Sequence, residues 1–311
     1  MKSLVKIGTR GSQLALYQAE VVRARLKELF PLVEFEFVKI KTKGDMIRHA
    51  SIGSIGPGIF THEIESALLE KQIDLAVHSA KDLATDLPPG LEISAVLDRE
   101  DPRDCLVARE GRTLDRLPYG ARVGTSSLRR RAQLKRLRPD LEICEMRGNV
   151  DTRLRKVEQG ECDGMVIAHA GLKRLGLVNF VTQVFEEDIF LPQAGQGALA
   201  IEIRKGDSQI QQLVKLLNHE VTFKRVLAER SFLRRLEGGC QIPAGVCSKI
   251  EGDTITLKGA IFSLAGDREV TNHIFGPVSE SERMGTVLAE KLLDGGGQEI
   301  LKVIRDYVSK K

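Results

Sequence analysis

The chain switches between two hydrophobic periods, about 2 and about 3.6 residues, and these switches predict its elements. Leu4–Gly8 reads as a short strand. From Gln13 to Leu29 the apolar positions recur at helical spacing, which points Leu14, Tyr17, Val21, Val22 and Leu29 inward until Pro31 stops the helix. Val33–Ile40 alternates as a strand does, Ile64–Glu70 is helical, and Ile73–His78 is a short buried strand. The same rhythm restarts after Asp101-Pro102. Strands at Arg122–Gly124, Glu142–Met146 and Met165–Ala168 enclose helices at Leu128–Leu137 and Val150–Glu158. A strand at Ala198–Ile203 leads to helices around Ile210–Asn218 and Phe223–Leu236. Beyond Val246, three strand-like segments precede helices near Met284–Leu293 and Glu299–Tyr307. No internal repeat stands out.

Alternating strands and helices imply an α/β chain of two lobes, each a parallel-rich mixed sheet with helices on its faces, followed by a small C-terminal α+β domain. The expected boundaries are residues 1–98 and 198–219 for the first lobe, 99–197 for the second, and 220–311 for the last. With 311 residues, 42% of them hydrophobic, the chain can fill two or three cores of roughly 100 residues each. Met1–Arg10 has no apolar core of signal-peptide length, and no later stretch approaches the roughly 18 apolar residues of a membrane span. A cytoplasmic location is therefore expected, with no membrane partner.

A net charge of +4, no tryptophan and 5% aromatic content do not by themselves imply a nucleic-acid partner. The distribution of charge says more. Ten arginines lie between Ala121 and Leu175, several where strands give way to helices. In Val123-Gly124-Thr125-Ser126-Ser127-Leu128-Arg129-Arg130, free N–H groups at a helix start combine with hydroxyls and guanidinium forks, which suits carboxylate or phosphate. The plainer alternative is an ordinary N-cap beside a solvated basic face, and a DNA-binding helix is a weaker one. Arg147-Gly148-Asn149-Val150-Asp151-Thr152-Arg153 repeats this grammar, and Arg10-Gly11-Ser12 does so at the end of the first strand. A cleft basic from both sides would result. Val77-His78-Ser79-Ala80-Lys81-Asp82 leaves Lys81 and Asp82 at a strand tip, where a carboxylate among cations can stabilise a developing positive charge or exchange a proton. Asp82 is the candidate catalytic group, a surface Lys-Asp turn being the alternative. His78, inside the apolar strand, is expected as a hydrogen-bonded core residue.

The five cysteines are odd in number, scattered and never spaced Cys-x-x-Cys, so neither a disulfide framework nor a zinc site is expected, and no other metal site is. Cys240, in Leu236-Glu237-Gly238-Gly239-Cys240-Gln241-Ile242-Pro243, follows two glycines on a loop after a helical stretch. Such a thiol is open to covalent chemistry, although a glycine C-cap before an ordinary cysteine reads the same way.

Taken in order, Ser79-Ala80-Lys81-Asp82, Gly124-Thr-Ser-Ser-Leu-Arg-Arg-Arg131, Arg147-Gly-Asn-Val-Asp-Thr-Arg153, Ala170-Gly-Leu-Lys-Arg174, Leu191-Pro-Gln-Ala-Gly-Gln-Gly197 and Leu236-Glu-Gly-Gly-Cys-Gln-Ile-Pro243 resemble the hydroxymethylbilane synthase, or porphobilinogen deaminase, family over essentially the whole chain. The resemblance implies three domains, the first two similar to the type II periplasmic-binding-protein fold. It implies a dipyrromethane cofactor held by a thioether to Cys240. Four molecules of porphobilinogen add to this primer head to tail, and hydrolysis releases the linear tetrapyrrole. By the same resemblance Asp82 is catalytic, and Lys81, Thr125, Ser127, Arg129 and Arg130 hold the cofactor. Arg10, Ser12, Arg147, Arg153, Arg174 and Gln196 hold substrate rings, Phe60 covers the aspartate, and the protein is a monomer. Two departures from the family pattern stand out. The lid segment reads Ser54-Ile55-Gly56-Pro57-Gly58-Ile59-Phe60, lacking a basic residue and stiffened by proline. Leu83-Ala84 replaces a hydrophobe-proline pair after Asp82, which is expected to loosen that loop. A solute receptor closing on a dicarboxylate is the rival reading, and it leaves the Cys240 loop without a role.

Overall fold

The computed structural model describes residues 2–46, 58–237 and 242–309. The chain begins with β1 (Leu4–Arg10), α1 (Gln13–Leu29), β2 (Glu34–Ile40), the short α2 (Lys43–Met46), α3 (His62–Leu69), β3 (Leu75–Ser79) and β4 (Leu91–Val96). It then crosses into β5 (Asp104–Ala108), β6 (Arg122–Gly124), α4 (Leu128–Leu137), β7 (Glu142–Cys144), α5 (Val150–Glu158), β8 (Gly164–Ala168), α6 (His169–Arg174) and β9 (Gln183–Val184). It returns as β10 (Leu199–Arg204) and α7 (Ser208–Lys215). The remainder is α8 (Glu220–Arg235), β11 (Ala244–Glu251), β12 (Thr254–Phe262), β13 (Glu269–Pro277), α9 (Ser281–Leu292) and α10 (Gln298–Ser309).

Three sheets result, in the orders β2-β1-β3-β10-β4, β7-β6-β8-β5-β9 and β11-β12-β13. In the first, β1 runs parallel to β2 and β3, whereas β10 is antiparallel to β3 and β4. The second repeats this plan: β6 is parallel to β7 and β8, and β5 is antiparallel to β8 and β9. The strands that break the parallel pattern, β5 and β10, are the ones that follow a crossing between lobes. Each enters from outside the local βαβ series and is free to run the other way. Two sheets of one design thus stand in a chain whose sequence shows no repeat.

Each sheet buries its own apolar layer. In the first, Val5, Ile7, Leu75, Val77, Leu199 and Ile201 pack under α1 and α7. The face of α1 differs from the expected one. Gln18, Ala19, Val22 and Leu26 are buried, at i, i+4 and i+8 spacing, while Tyr17 and Leu29 are exposed. Small Ala19 lets the helix lie close to the sheet, and of the residues expected inward Val22 is buried and Val21 packs against the core. The second sheet has cores on both faces, one around Leu106, Val123, Leu134 and Phe190 and one around Val107, Leu154, Met165 and Ile167. Among the described residues no helix is long and apolar enough to cross a membrane.

In the C-terminal unit, helices α8, α9 and α10 cover the antiparallel sheet through Phe232, Leu288, Leu257, Ile261 and Ile304. Helices α8 and α9 touch at Gly285, where a Cβ would stand 2.0 Å from the Ala228 carbonyl oxygen and 2.9 Å from the Phe232 nitrogen. Both obstacles are backbone and cannot rotate away. Gly285→Ala is therefore expected to cost roughly 1–3 kcal/mol of overpacking, more than the ~1 kcal/mol that alanine brings to a helix. Urea unfolding of the full chain, followed by circular dichroism, should show an earlier transition. An unchanged or later one would mean that the helices part freely.

Candidate active site

Strand β3 delivers Lys81 and Asp82 by ending in one tight turn, Ala80–Asp82. The turn is fixed from beneath: Ala80 is buried, and its N–H donates to the Ala198 carbonyl at 3.0 Å. It is also covered from above. Gly195, at φ +72°, lies so close that a Cβ would meet Ala80 and Lys81 backbone atoms at 3.1 Å, and the Gln193 amide donates to the Lys81 carbonyl at 3.1 Å. Lys81 Nζ donates to Gln196 Oε1 at 3.3 Å. Burial pulls the Lys81 ammonium down to about 8, and the nearby Arg130 guanidinium adds to this against the opposing pull of Asp82 and Asp104. Asp82 itself is half-buried.

In the second lobe, β6 leads into Thr125-Ser126-Ser127, and Ser127 is the N-cap of α4, its Oγ accepting from Arg130 N at 3.4 Å. Thr125 Oγ1 accepts from Ser127 N at 3.2 Å, and Ser126 Oγ donates to the Met146 carbonyl at 2.9 Å. Arg129 and Arg130, on the first turn of α4, are both buried, and both close on Asp104, the first residue of β5. Arg129 Nη1 donates to Asp104 Oδ2 at 2.7 Å and to the Leu191 carbonyl at 2.5 Å. Arg130 donates to Asp104 Oδ1 through Nε at 3.0 Å and Nη2 at 2.8 Å. Burial pushes the Asp104 carboxyl up, yet the two guanidiniums outweigh it and hold the group at about 2. Gln196 completes the cluster, its Nε2 donating to Asp104 Oδ1 at 3.0 Å and to the Pro102 carbonyl at 2.7 Å. Expected among the substrate contacts, Gln196 is instead wholly buried, and its amide is taken up by Lys81, Asp104 and the chain crossing. Asp104 was missed as a site residue. One acid at the head of an apolar strand reads as a strand boundary, and only the need of buried arginines for a counter-charge could have singled it out.

Arg147 and Arg153 flank the glycine turn after β7. Arg153 Nε donates to the Gly148 carbonyl at 2.7 Å, and Arg147 pairs with Glu145 at 3.4 Å. Burial lowers Arg153 to about 10, as do the charges of Arg130 and Arg147, while Asp82 acts in the opposite sense. Arg153 of one lobe thus lies within electrostatic reach of Asp82 of the other, and of Arg130 and Arg147 of its own. Farther out, the Arg10 guanidinium lies 4.3 Å over the Phe60 ring, and Ser12 caps α1 by accepting from Ala15 N at 3.3 Å. Arg174 Nη2 donates to the Gly197 carbonyl at 2.7 Å. His78 is buried, as expected, with Nε2 3.0 Å from Glu202 Oε2. The loop after Asp82 is tied down rather than loose: Arg230 donates to the carbonyls of Leu83, Ala84 and Thr85 at 3.4, 2.6 and 3.2 Å. Cys240 lies outside the described residues, as do Ser54–Pro57 of the lid segment. Among the described residues no cluster of His, Cys, Asp and Glu has the make-up of a metal site.

Residues 5–212 match the family described as porphobilinogen deaminase, dipyromethane cofactor binding domain, and residues 223–294 match porphobilinogen deaminase, C-terminal domain. The porphobilinogen deaminase of Geobacter sulfurreducens is 48% identical over 298 residues, covering 96% of this chain and 93% of that protein. That of Pelotomaculum thermopropionicum is 49% identical over 306 residues, covering 98% of each. Among solved structures, the methionine-binding protein MetQ is similar in outline, with a TM-score of 0.46 and 14% identity over 69% of this chain and 89% of that one. By its family matches and these full-length relatives, the chain belongs to the porphobilinogen deaminase family.

Proposed function

We propose that Asp82 is the catalytic group of a hydroxymethylbilane synthase whose dipyrromethane primer is held by Cys240 through a thioether. The family's reaction joins four porphobilinogen molecules head to tail with loss of four ammonia molecules, and water then releases the linear product. When bound, the primer supplies the pyrrole carbon from which the chain grows. The observation that carries the reading is that the Asp82 charge acts on its neighbour Lys81 and, across the lobes, on Arg153, while Gln196 joins Lys81 to Arg130.

The donor set fits the ligand. Every ring bears an acetate and a propionate, and each charge-assisted hydrogen bond to a carboxylate contributes roughly 1.5–3 kcal/mol. Lys81 and Arg153 are held below their ordinary ranges by burial among like charges. Bound carboxylates relieve both. The Thr125 and Ser127 oxygens accept backbone N–H groups, which leaves their O–H hydrogens to donate to a ligand. Arg129 and Arg130 together outweigh Asp104 by one positive charge at the same place. We assign Lys81, Thr125, Ser127, Arg129 and Arg130 to the primer. Arg10, Ser12, Arg147, Arg153 and Arg174 serve the substrate rings, with Phe60 over the aspartate and Gln196 positioning Lys81. Departure of ammonia from porphobilinogen leaves a cationic ring. The Asp82 carboxylate is suited to accept hydrogen bonds from the pyrrole N–H groups, stabilise that cation and take up the proton released on coupling. The same reading takes residues 1–98 with 198–219, 99–197 and 220–311 as three domains of a cytoplasmic monomer, a division that the three separate sheets support.

The intact mass of the denatured protein should exceed the chain mass by two deaminated porphobilinogen units, and Cys240→Ser should remove that excess. An excess that survives the substitution would place the primer elsewhere. Asp82→Asn should keep the excess yet slow turnover about 100-fold or more in a porphobilinogen-consumption assay. Near-normal turnover would remove Asp82 from its role. Asp104→Asn should destabilise the fold by roughly 3–5 kcal/mol, because two buried guanidiniums lose their counter-charge. The native carboxyl sits at about 2 against an ordinary 3.8, so its contribution is full above that ordinary value and fades as the pH falls towards 2. The stability gap between native and variant protein, measured by urea unfolding, should narrow over that interval. A gap independent of pH would contradict the assignment.

A further inference from the structure

Two cysteines that the reaction does not use face each other at the outer edge of the second sheet. Cys144 ends the edge strand β7, and Cys162 stands in the loop between α5 and β8. Both are free thiols, and their sulfurs face each other at 2.6 Å, a separation that a disulfide bond could close with little movement. Both pack in one apolar layer with Leu154, Val157 and Met165. The stretch between them holds the glycine turn, Arg147 and the whole of α5 with Arg153. At its start, the Cys144 carbonyl accepts the Thr125 N–H at 2.9 Å, which ties β7 to the segment before α4.

We propose that Cys144 and Cys162 form a reversible disulfide that clips the two ends of the β7–α5 segment together. Cys144 is half-buried and Cys162 buried, so a small-molecule disulfide meets Cys144 first. The Cys144 thiolate attacks it and expels one thiol, which carries off the Cys144 proton and leaves a mixed disulfide. The Cys162 sulfur then attacks the Cys144 sulfur, loses its own proton and expels the second thiol. Two protein thiols are oxidised, and one external disulfide is reduced to two thiols. Burial raises Cys162 to about 12, and contact with Cys144 adds to this, which fits it to the second, intramolecular step rather than the first. Cys105 and Cys247 are buried and also raised to about 12, so they serve as internal controls.

The test is to incubate the purified, cofactor-loaded protein with oxidised glutathione, then alkylate, digest and map it. The expected product is lighter by the two thiol hydrogens, contains one cross-linked peptide joining 144 to 162, melts several degrees higher, and reverts with dithiothreitol. Cys162→Ser should halt at a glutathione adduct on Cys144, whereas Cys105→Ser should cross-link as the native chain does. If Cys162→Ser does not fold, the peptide map of the native protein decides. Finding both thiols alkylated after oxidation, or Cys144 joined to any other partner, would overturn the proposal. A cross-link with no rise in melting temperature would overturn its role as a clip.

Discussion

Asp104 has no access to water, and its two carboxylate oxygens receive N–H groups from Arg129, Arg130 and Gln196. An isolated buried charge of either sign would be prohibitively unfavourable, so none of these groups could be buried without the others. Their positions in the chain make the cluster structurally decisive. Arg129 and Arg130 belong to the first turn of α4, Asp104 begins the strand that follows one crossing between lobes, and Gln196 lies on the other crossing. The electrostatic requirement of the carboxylate therefore sets where α4 begins and how both crossings run beside it. Lys81 enters the same network through Gln196, which links the tip of β3 in one lobe to the helix start in the other.

A second buried carboxylate attaches the C-terminal unit to the same crossings. Glu229 of α8 takes both Arg99 guanidinium nitrogens at 2.6 and 3.0 Å, the Gly195 N–H at 2.8 Å and the Ser248 hydroxyl at 2.5 Å. Arg99 Nε meanwhile donates to the Gln196 carbonyl at 2.8 Å. Burial pushes Glu229 up, and the Arg99 charge outweighs it, so the group is held below its ordinary range. Arg230, the next residue of α8, binds the carbonyls after Asp82. One turn of helix in the third unit thus steadies both the crossing and the loop after Asp82. Arg230 holds in place the loop in which Ala84 stands where the family pattern has proline.

What the sequence reveals about this site is what is local. The Ser127 cap, the strand tip bearing Lys81 and Asp82, and the glycine turn between Arg147 and Arg153 are written in consecutive residues, and each stands where the pattern predicts. Direction and pairing are not local. Nothing in the periodicity of Asp104–Ala108 or Leu199–Arg204 records that these strands run against their neighbours, because alternation is the same in either direction. The α1 face is predicted only in part: helical spacing places Val22 inward, where it is buried, but also Tyr17 and Leu29, which are exposed, while the smaller Ala19 is buried in the core. Asp104 and Glu229 escape notice, and Gln196 is assigned to substrate rather than to this cluster, because a buried polar residue is recognisable only through its partners, here 19 or more residues away. The approach of Cys144 to Cys162 is hidden likewise, since a strand end and a loop beyond a helix meet only once the βαβ unit has closed.

The thiols bear on the chemistry through their differences. A thioether forms from a thiolate, so a cysteine whose proton is held to about 12 is a poor attachment point at neutral pH. Burial does this to Cys105, Cys162 and Cys247. Cys144, the remaining described cysteine, faces Cys162 at the outer edge of the second sheet rather than the cleft. Cys240, which the proposed function assigns to the primer, follows in sequence α8, the helix whose Glu229 and Arg230 already grip the crossing and the Asp82 loop. On the proposed function, a primer on Cys240 would be tethered next to the helix that holds the turn bearing Asp82, so attachment and catalysis would share one support.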